Sequence, residues 1–241
     1  MMHDEHRLGV RFRLAEPSDL KDVIGFYDIM IEAMRGSDFD AYWRKGVHPS
    51  EDYLRDAISN RSMLIGEWDL GNGRRSRSGG SPGPTARPVQ RSQEGPIRSE
   101  NHSDDPVEGS IVGALVMDGN IAPGYERVPW MVDAEDGEFE VLHLVATHPG
   151  CHGRGIAKAM VMRAIESAEE RGVRSIRLDT FPTNERSQRL YESCGFRCLG
   201  DHALHYEELG ERPFVIYEYA IEHPGTNTNG VGCERERHPG G

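Results

Sequence analysis

The chain has 241 residues, 37% of them hydrophobic, and a formal net charge of −12; it can pack one core, while a nucleic-acid partner, which needs a surplus of Lys and Arg on one face, is not expected. No apolar run approaches the roughly 20 residues that span a bilayer, and Met1-Met2-His3-Asp4-Glu5-His6-Arg7 holds no signal-peptide core, so the reading is a cytoplasmic protein without a membrane partner. The four cysteines, Cys151, Cys194, Cys198 and Cys233, form no Cys-x-x-Cys pair, which points to reduced thiols rather than a disulfide framework or a zinc site.

In chain order, residues 1–9 read as a disordered leader and 10–14 as a strand. Leu20, Val23, Ile24, Tyr27 and Ile31 then fall at helical spacing behind a Pro17-Ser18-Asp19 start signal. A second helix is expected from Ser50, as N-cap, to about Asn60, burying Tyr53, Leu54, Ala57 and Ile58. The apolar runs 63–68 and 110–117 predict a hairpin with a greatly lengthened turn. Between them, 71–109 is rich in Gly, Ser, Pro and Arg without an apolar period and reads as a disordered insertion. Six arginines against two glutamates between 71 and 101 suggest an RNA-binding arm, but no aromatic is interleaved to stack bases, so a solvated insert is preferred. Such a loop costs little, about 0.6 kcal/mol per doubling of length.

Residues 138–147 predict a strand, broken at Pro149-Gly150. The helix that follows has the clearest period: Ala157, Met160, Val161, Ala164, Ile165 and Ala168 form one stripe, and Arg171-Gly172 closes it with a cation and a C′ glycine. A strand over 175–180, a short helix capped by Asn184 and ending at Cys194-Gly195, and strands over 196–199 and 214–221 complete the pattern. Residues 223–241 read as a disordered tail. The expectation is an α/β (α+β) fold of mixed strand order, one domain over 10–222.

Between the strand and the long helix stands His152-Gly153-Arg154-Gly155-Ile156-Ala157. Glycines let the main chain approach a ligand, and the free N–H groups at a helix start favour a negative group, as a pyrophosphate cradle requires. Helix-capping glycine turns are also common as purely structural features. The chain has no Gly-Lys-Ser/Thr of a P-loop, no Gly-x-Gly-x-x-Gly with a later acid, and no Gly-x-Ser-x-Gly elbow.

Leu144 and Val145 ahead of Pro149, then the cradle, then about 30 residues on Asn184-x-x-Ser187-x-x-Leu190-Tyr191-x-x-x-Gly195-Phe196 together resemble the ordered motifs of the GNAT acetyltransferase superfamily. The likeness is detailed over 138–196 and extends over 10–221 without the insertion. It departs at His152, where the family carries Gln or Arg. The resemblance implies a central mixed, mostly antiparallel sheet of about six to seven strands flanked by helices, and an acetyl-CoA-dependent N-acetyltransferase acting on a primary amine by direct attack in a ternary complex. Acetyl-CoA would be the acyl donor, with no metal and with a homodimer as the assembly. Leu144, Val145 and Ala146 would pair with the pantetheine arm, His152, Gly153, Arg154, Gly155, Ile156 and Ala157 would hold the pyrophosphate, and Asn184 would bond the cofactor. Tyr191 would lie near the sulfur as general acid, and an N–H near Val145 would polarise the thioester carbonyl. Asn184 also reads as a plain N-cap, and Tyr191 as a half-buried aromatic.

For the base, Glu140 or His143 would take the amine proton; strand alternation puts them on opposite faces, and Glu140 is the choice. His143, His148 and His152 lack a carboxylate or cysteine at ligand spacing, so no metal is expected. Cys151 has no evident base, which favours direct transfer. Residues 118–140 hold seven acids and one arginine, either a rim attractive to a cationic acceptor or an ordinary solvated loop. Trp43, Tyr125, Trp130 and Met131 read equally as an acceptor wall or as core anchors. The alternative function is a non-catalytic acyl-CoA-binding sensor.

Overall fold

The computed structural model describes residues 7–69 and 106–221. The expected leader, insertion and tail lie outside the described residues, apart from 7–9 and 106–109. Seven strands form one sheet: β1 (Val10–Leu14), β2 (Met63–Trp68), β3 (Ile111–Asp118), β4 (Phe139–Thr147), β5 (Ser175–Thr180), β6 (Arg197–Tyr206) and β7 (Gly210–Ala220), ordered β1-β2-β3-β4-β5-β7-β6. Among the described strands only β4 and β5 pair in parallel. The fold is therefore the expected α/β class with a mixed, mostly antiparallel sheet. Strands β6 and β7 run well beyond the predicted 196–199 and 214–221. Their added rungs set polar residues opposite apolar ones, such as Asp201 with Val215 and Leu204 with Arg212, so no clean apolar alternation announces them.

Two helices cover each face. On one, α1 (Leu20–Met34) and α2 (Glu51–Ser59) bury Val23, Phe26, Tyr27, Met30, Leu54 and Ile58 against Met63, Ile65, Ala114, Val116, Leu144 and Ala146. The Ser50 hydroxyl caps α2 by accepting from Tyr53 N at 3.2 Å, which fixes where the helix starts. On the other, α3 (Ile156–Glu170) and α4 (Glu185–Ser193) pack Met160, Val161, Ile165 and Tyr191 on Leu142, Ile176, Leu178 and Tyr217. The α3 stripe begins at the buried Ile156 rather than at Ala157, which is left half-buried. Gly172, at φ 78°, closes α3: Val173 N donates to Ala168 O at 3.1 Å and Gly172 N to Glu169 O at 3.0 Å, a Schellman pair that satisfies the last carbonyls.

The connection from β3 to β4 is pinned by a buried carboxylate. Glu218, fully buried on β7, accepts from Met131 N at 2.5 Å and from the Ser175 hydroxyl at 2.6 Å. Beside it the Arg177 guanidinium lies between the rings of Trp130 and Phe139, at 4.3 and 4.0 Å. Trp130 and Tyr125 are accordingly core anchors. Among the described residues no helix is long and apolar enough to cross a membrane.

Candidate active site

Strands β4 and β5 pair only from Phe139 to Val141 against Ser175 to Arg177. Beyond that, β4 stays with β3 and β5 with β7, so the sheet splits between 142–147 and 178–180. β4 also bulges at the split: Leu144 takes φ 54°, and the β3 register slips between Ala114 and Val116. A left-handed non-glycine residue costs roughly 1–2 kcal/mol. The conformation is held from α1, where the buried Tyr27 hydroxyl donates to Leu144 O at 2.9 Å. The extra residue changes which side chains share a face. His143 pairs with Val116 and Ala146 with Ala114, both on the α1 face, and Leu144 packs there too.

The split opens into a cavity of about 750 Å³. At one end lies the turn before α3, with Gly153 at φ 77° and Gly155 at φ 87°. Only glycine adopts this backbone readily. The N–H groups of Gly153, Gly155, Ile156, Ala157 and Lys158 have no hydrogen-bond partner among the described residues, and together with the helix dipole they form a nest for an anion. His152 is fixed beside it: one ring nitrogen, Nε2, donates to Thr147 O at 3.0 Å and the other, Nδ1, accepts from Arg186 Nη1 at 3.1 Å, roles assigned from these partners. Burial first, then the Arg186 charge, pushes its pKa down, so the ring is neutral. The Arg154 guanidinium stacks 5.1 Å from the Trp68 ring.

Asn184 Oδ1 accepts from Ser187 N at 3.1 Å and caps α4. Its amide nitrogen has no partner among the described residues, and the residue lines the cavity. Tyr191 lines it as well, 6% exposed and set between Phe196 and Tyr217 at 5.8 and 6.0 Å. Burial pushes its phenol pKa far up, with Asp179 adding to the rise, so the hydroxyl keeps its proton.

Of the two predicted bases, Glu140 is not brought to the cavity. Its carboxylate accepts from Arg171 Nη2 at 2.6 Å in a depression shared with Arg163 and Ser167 of α3. His143 lines the cavity. Its Nε2 lies 3.2 Å from Asp118 Oδ1 and 3.2 Å from Asn120 O. Both partners are acceptors, so Nε2 carries the proton and Nδ1 is the basic nitrogen. Burial opposes ionisation of Asp118, but His143 and the Asn120 donors outweigh it and hold the carboxyl below its ordinary pKa.

Sequence reasoning missed Asp118 and Asp179. Asp179, near the end of β5, lines the cavity, and its Oδ2 accepts from the Tyr125 hydroxyl at 2.6 Å and the Tyr206 hydroxyl at 2.9 Å. The available signal was a lone carboxylate within the run Ser-Ile-Arg-Leu-Asp-Thr, which no motif marked. Trp43 also lines the cavity. Cys151 is 1% exposed and packs with Val10, Val112 and Ile156. His148 Nδ1 accepts from Gly150 N at 3.2 Å. Among the described residues no group of three or more His, Cys, Asp or Glu is placed to hold a metal ion.

A parallel strand pair that splits beside an unsatisfied helix N-terminus defines a fold class that offers one cleft to an extended, anionic ligand. Residues 93–196 match the model of the acetyltransferase (GNAT) family. Over 83 residues it is 38% identical to mycothiol acetyltransferase of Beutenbergia cavernae, a match covering 34% of this chain and 26% of that enzyme. The matched segments span between 26% and 52% of the length of the curated relatives. The same fold occurs in a GNAT-family acetyltransferase of Streptococcus agalactiae, with a TM-score of 0.60 at 16% identity over 89% of this chain and 97% of that one. It recurs in a putative acetyltransferase of Salmonella typhimurium, solved with its cofactor acetyl-CoA, at a TM-score of 0.55 and 13% identity over 92% of this chain and 99% of that one.

Proposed function

We propose that this chain is an acetyl-CoA-dependent N-acetyltransferase that moves the acetyl group to a primary amine by direct attack. The observation that carries the reading is continuity: one cavity joins the N–H nest, the split edge of β4, Tyr191 and His143. The nest at Gly153, Gly155, Ile156 and Ala157 suits a diphosphate, with the neutral His152, Arg154 and Arg186 beside it. The β4 edge at Leu144, Val145 and Ala146, which β5 has left, suits an extended arm bound like an added strand. The amide nitrogen of Asn184 is a further donor into the same space.

Acetyl-CoA supplies a thioester whose carbonyl carbon is open to an amine and whose thiolate leaves. Around that chemistry each side chain has one task. His143 Nδ1 accepts the proton that the amine nitrogen sheds as its bond to carbon forms, directly or through one water, and Asp118 keeps the ring in the tautomer that leaves Nδ1 free. The phenol of Tyr191 gives its proton to the sulfur as the carbon–sulfur bond breaks, a role that needs a hydroxyl still protonated at neutral pH. An N–H at the bulge near Val145 is the donor for the charge developing on the carbonyl oxygen. Glu140, tied to Arg171, takes no part, and the buried Cys151 is not an intermediate carrier.

The test is to trace labelled acetyl from acetyl-CoA in the presence of a panel of primary amines. Label on amine nitrogen, with none retained by the protein, supports the reading. Label trapped on the protein would contradict direct attack.

A further inference from the structure

The end of the cavity away from the nest is built of aromatic rings around one carboxylate. Ring centroids of Tyr42 and Phe181 lie 5.0 Å apart, of Phe181 and Phe214 4.6 Å, and of Phe214 and Tyr206 5.1 Å. All four residues line the cavity. The Tyr206 and Tyr125 hydroxyls both donate to Asp179 Oδ2. Two phenols on one oxygen fix the orientation of the carboxylate and leave Oδ1, which has no partner among the described residues, to the cavity. The other acids that line the space, Glu207 and Glu208, are at this end, whereas its lysine and arginine, Lys158 and Arg186, belong to the helices beside the nest.

Aromatic faces beside a fixed carboxylate oxygen suit one ligand chemistry, an alkylammonium group held by cation–π attraction and a charge-assisted hydrogen bond. That group cannot be the reacting nitrogen, which attacks as a neutral amine with a free lone pair and gives up its proton to His143 only as the bond to carbon forms. The cation held at Asp179 is therefore a second one. Resting on the acetyl-transfer reading, we propose that the acceptor is an alkyl diamine or longer polyamine, one of whose ammonium groups is held by Asp179 Oδ1 and the surrounding rings. Burial pushes the Asp179 pKa up, with the phenols and His143 acting against the rise, and an incoming cation restores the charge that burial disfavours.

The test compares kcat/KM for 1,5-diaminopentane, pentylamine and 5-aminopentanoate, three chains of similar length with a cation, nothing or an anion at the far end. The expected order is diamine, monoamine, amino acid, with about tenfold or more between the first two, the size of one charge-assisted contact. In Asp179→Asn the diamine-to-monoamine ratio falls to near one, and Tyr206→Phe lowers it in part. A ratio near one in the unaltered chain, or a ratio unchanged in a D179N protein that still binds CoA, overturns the proposal. Calorimetric titration of 1,5-diaminopentane onto the CoA-loaded chain separates the two readings. Binding that D179N loses, without acetyl transfer, keeps the diamine receptor and removes the transferase; transfer to monoamines with no diamine preference does the reverse.

Discussion

His143 and Leu144 are consecutive on β4 yet face the same side of the sheet, because Leu144 sits at φ 54° where the β3 register slips. A regular strand would send one of them to the α3 face. The bulge thus turns an ordinary strand into one that presents a histidine to the cavity while the next residue seals the α1 core.

One side-chain hydroxyl reaches the bulge. Replacing Tyr27, fully buried with its hydroxyl 2.9 Å from Leu144 O, by Phe leaves that carbonyl without its donor and is expected to cost about 1–3 kcal/mol. Urea unfolding of Tyr27→Phe checks this. kcat/KM should fall with it, since His143 adjoins the released residue, and a variant of unaltered stability would mean that the bulge is held by other contacts.

Tyr191→Phe removes the proton donor and little volume. Turnover is expected to fall by about 100-fold or more, the usual scale for a positioned acid, with thermal stabilisation by acetyl-CoA retained. Equal turnover in the two proteins would take Tyr191 out of the chemistry.

In the proposed reaction Asp118 acts through His143, 3.2 Å from its Nε2, so their effects should not add. His143→Gln lowers kcat, and Asp118→Asn lowers it less; in the double variant the second change costs little more. Fully additive losses in steady-state rates would indicate independent roles.

His152 gives the chain an acid-side sensitivity with a defined sign. Its folded-state pKa is lowered from 6.5, by burial and then by Arg186. Its contribution to stability is therefore fully present above about 6.5 and is lost as pH falls through the lower folded value. NMR titration should place the His152 midpoint below 6.5, Arg186→Ala should raise it, and His152→Gln should flatten the stability profile in that window. A midpoint above 6.5 would contradict the neutral ring.

Much of this was legible in the sequence because it is local. The stripe Met160, Val161, Ala164, Ile165 and Ala168 set α3 by period alone, and Ser50 and Asn184 marked helix starts through the hydrogen bonds they accept. The glycines at 153 and 155 marked the turn because no other residue adopts its φ cheaply. The base was not legible, since alternation separates Glu140 from His143 but cannot say which face is the cavity. The contact with Arg171, 31 positions along, draws Glu140 to the α3 side and leaves His143 as the proposed base. Asp179 gains its significance from Tyr125 and Tyr206, which lie 54 and 27 positions away, and the long arm of β6 and β7 that brings Tyr206 there has rungs that set polar against apolar residues, such as Leu204 with Arg212.

The most direct measurement of the central claim is thiol release from acetyl-CoA by the full chain across a panel of primary amines, alongside acetyl-CoA binding. The account predicts release that depends on the amine, matches acetylated amine one for one, and drops sharply in Tyr191→Phe and His143→Gln. Binding of acetyl-CoA with no amine-dependent release from any member of the panel would contradict it and leave a domain that holds acyl-CoA without transferring its acyl group.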